Sequence, residues 1–137
     1  MGLSDDEKNT LIDLKIERAN ETIREVPYLI EQGFYRTAVN RLYYACYYIV
    51  SALLLQKGYE AHTHKGIIAM LAMNFVKTGI ISIEEGQLYR SLFELRQTGD
   101  YDEVKIIDRE EVVTRLKPAE HFIKTIEQLI FKNTNLL

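Results

Sequence analysis

The sequence holds one cysteine, two prolines, seven glycines and no tryptophan, and each scarcity removes a class of protein. Cys46 alone can form neither an internal disulfide nor a cysteine-rich metal site. Its isolation suits a reducing cytoplasm, and its apolar neighbours point to a buried structural thiol rather than a reactive one. With so little proline and glycine, no stretch reads as a linker, a repeat or a low-complexity tract. Long apolar runs are missing too. The longest, Leu42 to Leu55, falls short of the roughly 20 residues that span a bilayer and is interrupted by tyrosines, so no membrane partner is expected. The N-terminal MGLSDDEKNT is polar and acidic where a secretory signal is basic and then apolar. Met1-Gly2 has Asp6 where a myristoylation start needs Ser or Thr. Nor is there an excess of positive charge. Seventeen Lys and Arg stand against 20 Asp and Glu, a net charge of −3. Whole-surface attraction to nucleic acid is thereby excluded, and any such role must rest on a local basic patch.

What remains is helix. The only strand-like run, Val104 to Ile107, is too short to build a sheet. Over 137 residues the expectation is one domain spanning 1–137, with a core from about 5 to 131, in an all-α, antiparallel up-and-down bundle of about five helices. A first helix is predicted from Asp5 to Gln32, opened by the capping box Ser4/Glu7 and stopped by Gly33. Ile12, Ile16, Ala19, Ile23, Val26 and Ile30 give it one apolar stripe. The second, Phe34 to Lys57, is apolar nearly all round, so it belongs at the centre, enclosed by other helices or by a second subunit. On that basis a homodimer is expected. Thr63 caps a third helix, His64 to Lys77. Ser82 with Glu85 caps a fourth, running to about Thr98 with Leu88, Leu92 and Leu95 inward. Asp108 with Glu111 opens a fifth, in which Val112, Leu116, Ala119, Ile123, Ile126 and Ile130 repeat the spacing of the first. The matched seams imply that both long terminal helices pack on the same central element. Pro27 is expected to kink the first helix, and Pro118 to kink or break the fifth. The segment Gly99 to Asp108 is the one long connection, and therefore a natural place for a site.

Three local patterns carry chemistry-bearing residues in a specific order. Ala38-Val39-Asn40-Arg41-Leu42-Tyr43-Tyr44-Ala45 opens the central helix, His64-Lys65-Gly66 starts the third, and Arg96-Gln97-Thr98-Gly99-Asp100-Tyr101 ends the fourth. In this order and spacing they resemble the HEPN family, in its subgroup of small stand-alone bacterial and archaeal proteins, from roughly Glu17 to Leu129. The resemblance implies a four- to five-helix bundle that commonly dimerises. It also implies frequent pairing with a minimal nucleotidyltransferase protein, often as a toxin–antitoxin couple, in which the partner can attach AMP to a HEPN tyrosine; Tyr101 is the candidate here. Many HEPN proteins are metal-independent ribonucleases with an Arg, four to six intervening residues and a His. This sequence departs from that pattern: Tyr101, Asp102 and Glu103 stand where the His is due.

Metal-independent RNA cleavage needs a base for the 2′-hydroxyl, an acid for the leaving oxygen and a cation at the phosphate. Arginine suits the last role and histidine the first two. The candidate catalytic residues are thus Arg96, His64 and Tyr101, with His64 able to serve only if the start of the third helix meets the end of the fourth. Candidate nucleotide- or RNA-binding residues are Asn40, Arg41, Tyr44, His64, Arg96, Asp100 and Tyr101; Tyr44, Tyr47 and Tyr48 could stack bases beside a guanidinium. Each has a plainer alternative. Arg96 can pair with Asp100 at i,i+4, Tyr101 can pack at a helix end, and His64 can share capping with Thr63. The tyrosine stripe can be core or subunit interface. No metal and no cofactor is expected: His62 and His64 have no Cys or carboxylate nearby, and His121 reads as surface. Three readings stay open: a nucleotide- or RNA-binding interaction protein, a ribonuclease toxin, and a helical scaffold.

Overall fold

The computed structural model describes the backbone of residues 2–101 and 104–135, and their side chains except at 100, 101 and 133–135. The described residues form five α-helices and no strand: α1 (Asp5–Glu31), α2 (Tyr35–Lys57), α3 (His64–Leu71), α4 (Ile83–Tyr101) and α5 (Arg109–Asn135). α3 runs on into one π-helical stretch, Ala72–Val76. Local chemistry sets the starts. Ser4 and Glu7 form a reciprocal capping box. Ser82 Oγ accepts from the Glu85 amide at 3.1 Å, and Asp108 Oδ1 accepts from the Glu111 amide at 2.9 Å. Thr63 Oγ1 accepts from the Gly66 amide at 2.9 Å and caps α3. Each cap satisfies donors that the first helical turn leaves without partners.

Packing follows the apolar stripes. Ile12, Ile16, Ala19, Ile23, Val26 and Ile30 are buried on α1, and Val112, Ala119, Ile123, Ile126 and Ile130 on α5. Both helices lie on α2, as the matched seams require, and α3 and α4 pack on its remaining sides. The all-round apolar character of α2 is therefore used up within this chain. By length and composition α2 could cross a membrane, longer as it is than the run Leu42 to Leu55, but 61% of its most apolar window is buried inside the bundle. Core burial explains its apolarity. Cys46, at its middle, is fully buried, and burial pushes its thiol up, well away from ionisation.

Two expectations are corrected and a third is narrowed. α4 does not stop near Thr98 but continues to Tyr101. Gly99 stays helical because a neighbour needs its missing Cβ: an added one would stand 2.6 Å from Ile107 Cδ1. The connection is correspondingly shorter. Its described part folds back on the bundle, with Arg36 donating to the Lys105 carbonyl and Lys105 paired to Glu111 at 3.4 Å. Finally, α5 passes Pro118 without a break, as α1 passes Pro27.

Candidate functional site

Five aromatic rings from two helices, α2 and α4, meet in one cluster. On α2, Tyr43, Tyr44 and Tyr47 sit at spacings of one, three and four residues, so their rings cluster on one side of the helix. Tyr43 is fully buried, while Tyr44 and Tyr47 are half-buried. On α4, Tyr89 and Phe93 lie one turn apart and supply the opposing wall. Tyr89 stacks on Tyr43 with ring centroids 5.8 Å apart and planes 3° from parallel, and Phe93 stands 5.8 Å from the same ring.

Cations enter from the rim. Arg96, one turn beyond Phe93 on α4, places its guanidinium 5.0 Å from the Tyr44 ring centroid and 5.5 Å from that of Tyr43. Arg41 reaches the same Tyr44 ring from α2, at 5.8 Å. It is held by a neutral amide rather than a carboxylate: Asn40 Oδ1 accepts from its Nη2 at 2.8 Å and its Nε at 3.2 Å. Two guanidiniums thus approach one aromatic ring, whose quadrupole favours them.

His64, the first residue of α3, comes down onto the same cluster. Its ring lies 5.0 Å from Tyr47, 5.5 Å from Tyr43 and 6.0 Å from Tyr44. Its Nδ1 is 2.5 Å from the Tyr43 hydroxyl. Partial burial, and after it the charge of Arg96, lower the imidazole below its ordinary 6.5. Burial pushes the Tyr43 hydroxyl up to about 12, so it keeps its proton at neutral pH. Which of the two donates depends on the imidazole tautomer. Where Nδ1 accepts, the ring hydrogen of the neutral imidazole sits on Nε2, and His64 offers a donor on the side away from Tyr43.

The structure therefore brings together Arg41, Asn40, Tyr44, His64 and Arg96. It also meets the condition set for His64: the start of α3 does approach the end of α4. The capping alternative fails, because the His64 side chain is committed to Tyr43. The side chains of Asp100 and Tyr101 lie outside the described residues. His62 and His121 are exposed. Among the described residues no three His, Cys, Asp or Glu side chains stand close enough together to hold a metal ion. Sequence reasoning missed Tyr43, which positions His64, and Tyr89 and Phe93, which wall the cluster. A signal was there: Tyr89, Phe93 and Arg96 follow a four-three spacing that puts all three on one face of α4.

Comparison with known proteins places the fold in a family. An archaeal relative in Methanocaldococcus jannaschii, named "Putative toxin MJ0142", is 36% identical over 119 residues, covering 86% of this chain and 81% of its own. A second protein of that organism, "Putative toxin MJ0605", is 34% identical over 87% of this chain and 88% of its own. The UPF0332 protein of Thermotoga maritima is 41% identical over 124 residues, 90% of this chain and 94% of its own. The HEPN domain model matches residues 12–129, a span that takes in all three motifs and every helix that builds the cluster. With the helical bundle and the coverage in agreement, the chain belongs to the HEPN family.

Proposed function

We propose that this chain is a nucleotide- or RNA-binding HEPN protein, one half of a cytoplasmic toxin–antitoxin-like module whose other half is a minimal nucleotidyltransferase. The convergence of Arg41 and Arg96 on the Tyr44 ring, with the His64 imidazole alongside, carries the reading. Two planar forks and an N–H donor suit a phosphate group, and half-buried tyrosines suit a base. The likeness to relatives whose names include the word toxin supports the module. Calorimetric titration with AMP and with a short single-stranded RNA tests the site. Saturable binding that is lost in Arg96→Ala, with the helical circular dichroism kept, is expected; binding indifferent to Arg96 overturns it. Co-expression with a minimal nucleotidyltransferase from the same genome should give one peak in size-exclusion chromatography, and two independent peaks count against the module.

A homodimer is part of the proposal, on narrower ground than the sequence offered. The packing of α2 within the chain accounts for its apolar girth, so support now comes only from its half-buried stripe of Tyr44, Tyr47 and Tyr48.

The second reading, a metal-independent ribonuclease using Arg96 and His64, is favoured by their shared position over Tyr43 and Tyr44. Against it stands the engagement of the imidazole: His64 Nδ1 is taken up by the Tyr43 hydroxyl, and Tyr43, pushed up to about 12, is too weak an acid to serve in its place. Incubation with single-stranded RNA in EDTA separates the two. Cleavage abolished by Arg96→Ala would promote the enzyme, and intact RNA favours the binding protein.

A further inference from the structure

Beside the cluster, an open groove of about 460 Å³ runs between α3 and α4, lined by Lys65, Ile68, Ala69, Phe93, Arg90 and Gln97 among others. It shares one wall residue with the candidate site. Phe93 belongs to both, its ring 6.3 Å from His64 and 5.8 Å from Tyr43. Lys65 follows His64 in sequence, and Gln97 follows Arg96. The floor is apolar: Ile68, Ala69, Ala72 and Phe93. The rim is charged, with Lys65 on the α3 side and Arg90 on the α4 side, and Glu94 as the one carboxylate, paired to Arg90 at 3.3 Å.

Resting on the phosphate-binding reading above, we infer that this groove is a second nucleotide subsite, and that the ligand is a single-stranded oligonucleotide rather than a mononucleotide. An isolated nucleotide is served by Arg41, Arg96, His64 and the tyrosines. Nothing in that role calls for a neighbouring groove whose size falls within the range of about 300–1,000 Å³ typical of ligand clefts. An adjacent nucleotide uses all of it. Its base covers the apolar floor, the phosphates flanking it meet Lys65 and Arg90, and Gln97 offers both a donor and an acceptor to a base edge. A chain of net charge −3 thus carries two further cations, Lys65 and Arg90, on the groove that shares Phe93 with the site of Arg41 and Arg96.

The test compares AMP with a 2′-O-methyl pentaadenylate, which cannot be cleaved through its 2′-oxygen. Binding of each is measured against salt for the wild type, for Lys65→Gln with Arg90→Gln, and for a control pair, Lys117→Gln with Lys124→Gln, on α5. The pentaadenylate should bind more tightly than AMP. In the groove variant the ratio of the two affinities should fall about tenfold, and the salt dependence of pentaadenylate binding should weaken by about 1.4 in log–log slope, the loss of two phosphate contacts on a single strand. The control pair removes the same charge and should keep the ratio. Equal affinity for the two probes, or equal loss in both variants, overturns the subsite while AMP binding through Arg96 keeps the primary reading. If neither probe binds the wild type, the primary reading falls and the subsite falls with it.

Discussion

At the scale of single residues the site depends on Tyr43. Its hydroxyl is buried, keeps its proton and turns His64 so that the imidazole faces the same space as Arg96. Burial and the neighbouring guanidinium both disfavour a charged His64. The folded protein then binds that proton less readily than the unfolded chain, so the His64 contribution to stability is present above the unfolded value of 6.5 and is lost as pH falls below it. By nuclear magnetic resonance the His64 midpoint should lie below 6.5, and Arg96→Gln should move it upward by removing the nearer repulsive charge. An unchanged midpoint would mean that the two groups do not share a site. The sequence named His64 and Arg96 but could not show this coupling, because it depends on which way a ring turns. Nor could it rank Tyr43 above Tyr44, since adjacent tyrosines look alike until burial separates them.

At the scale of elements, most of the fold was legible. All three predicted capping boxes form, and the isoleucine and valine stripes of α1 and α5 point inward with only Leu116 half-exposed. Caps and stripes are local or periodic signals, readable without a partner. The end of α4 was not legible, because Gly99 is helical for a tertiary reason, the close approach of Ile107. Pro118 was equally undecidable from sequence. In the structure α5 continues through it as a single helix, so the ring removes one backbone hydrogen bond in a helix interior. Pro118 is exposed, and alanine there meets no neighbour. Interior proline costs about 3 kcal/mol relative to alanine, of which the stiffer unfolded chain returns up to about 1. Pro118→Ala should therefore stabilise the protein by about 2–3 kcal/mol in urea denaturation; a loss of stability would show that the proline shapes the packing of α5.

At the scale of the molecule, α2 is both the core and the floor of the site. One flank of it is sealed by α1, α4 and α5, while its Tyr44 edge stays open enough for two guanidiniums to reach the ring. This double duty explains a helix apolar enough to pass for a membrane span and yet rich in tyrosine, whose rings pack while their hydroxyls stay available. It also means that the site is held by the global fold, with one contribution each from the start of α2, the start of α3 and the end of α4. The central claim is that these three ends together hold a phosphate. The most direct measurement is the His64 titration repeated with saturating AMP. A phosphate bound between Arg96 and His64 favours the protonated imidazole, so the midpoint should rise in the wild type and stay where it was in Arg96→Gln. A wild-type midpoint that does not move while AMP is bound would contradict the claim.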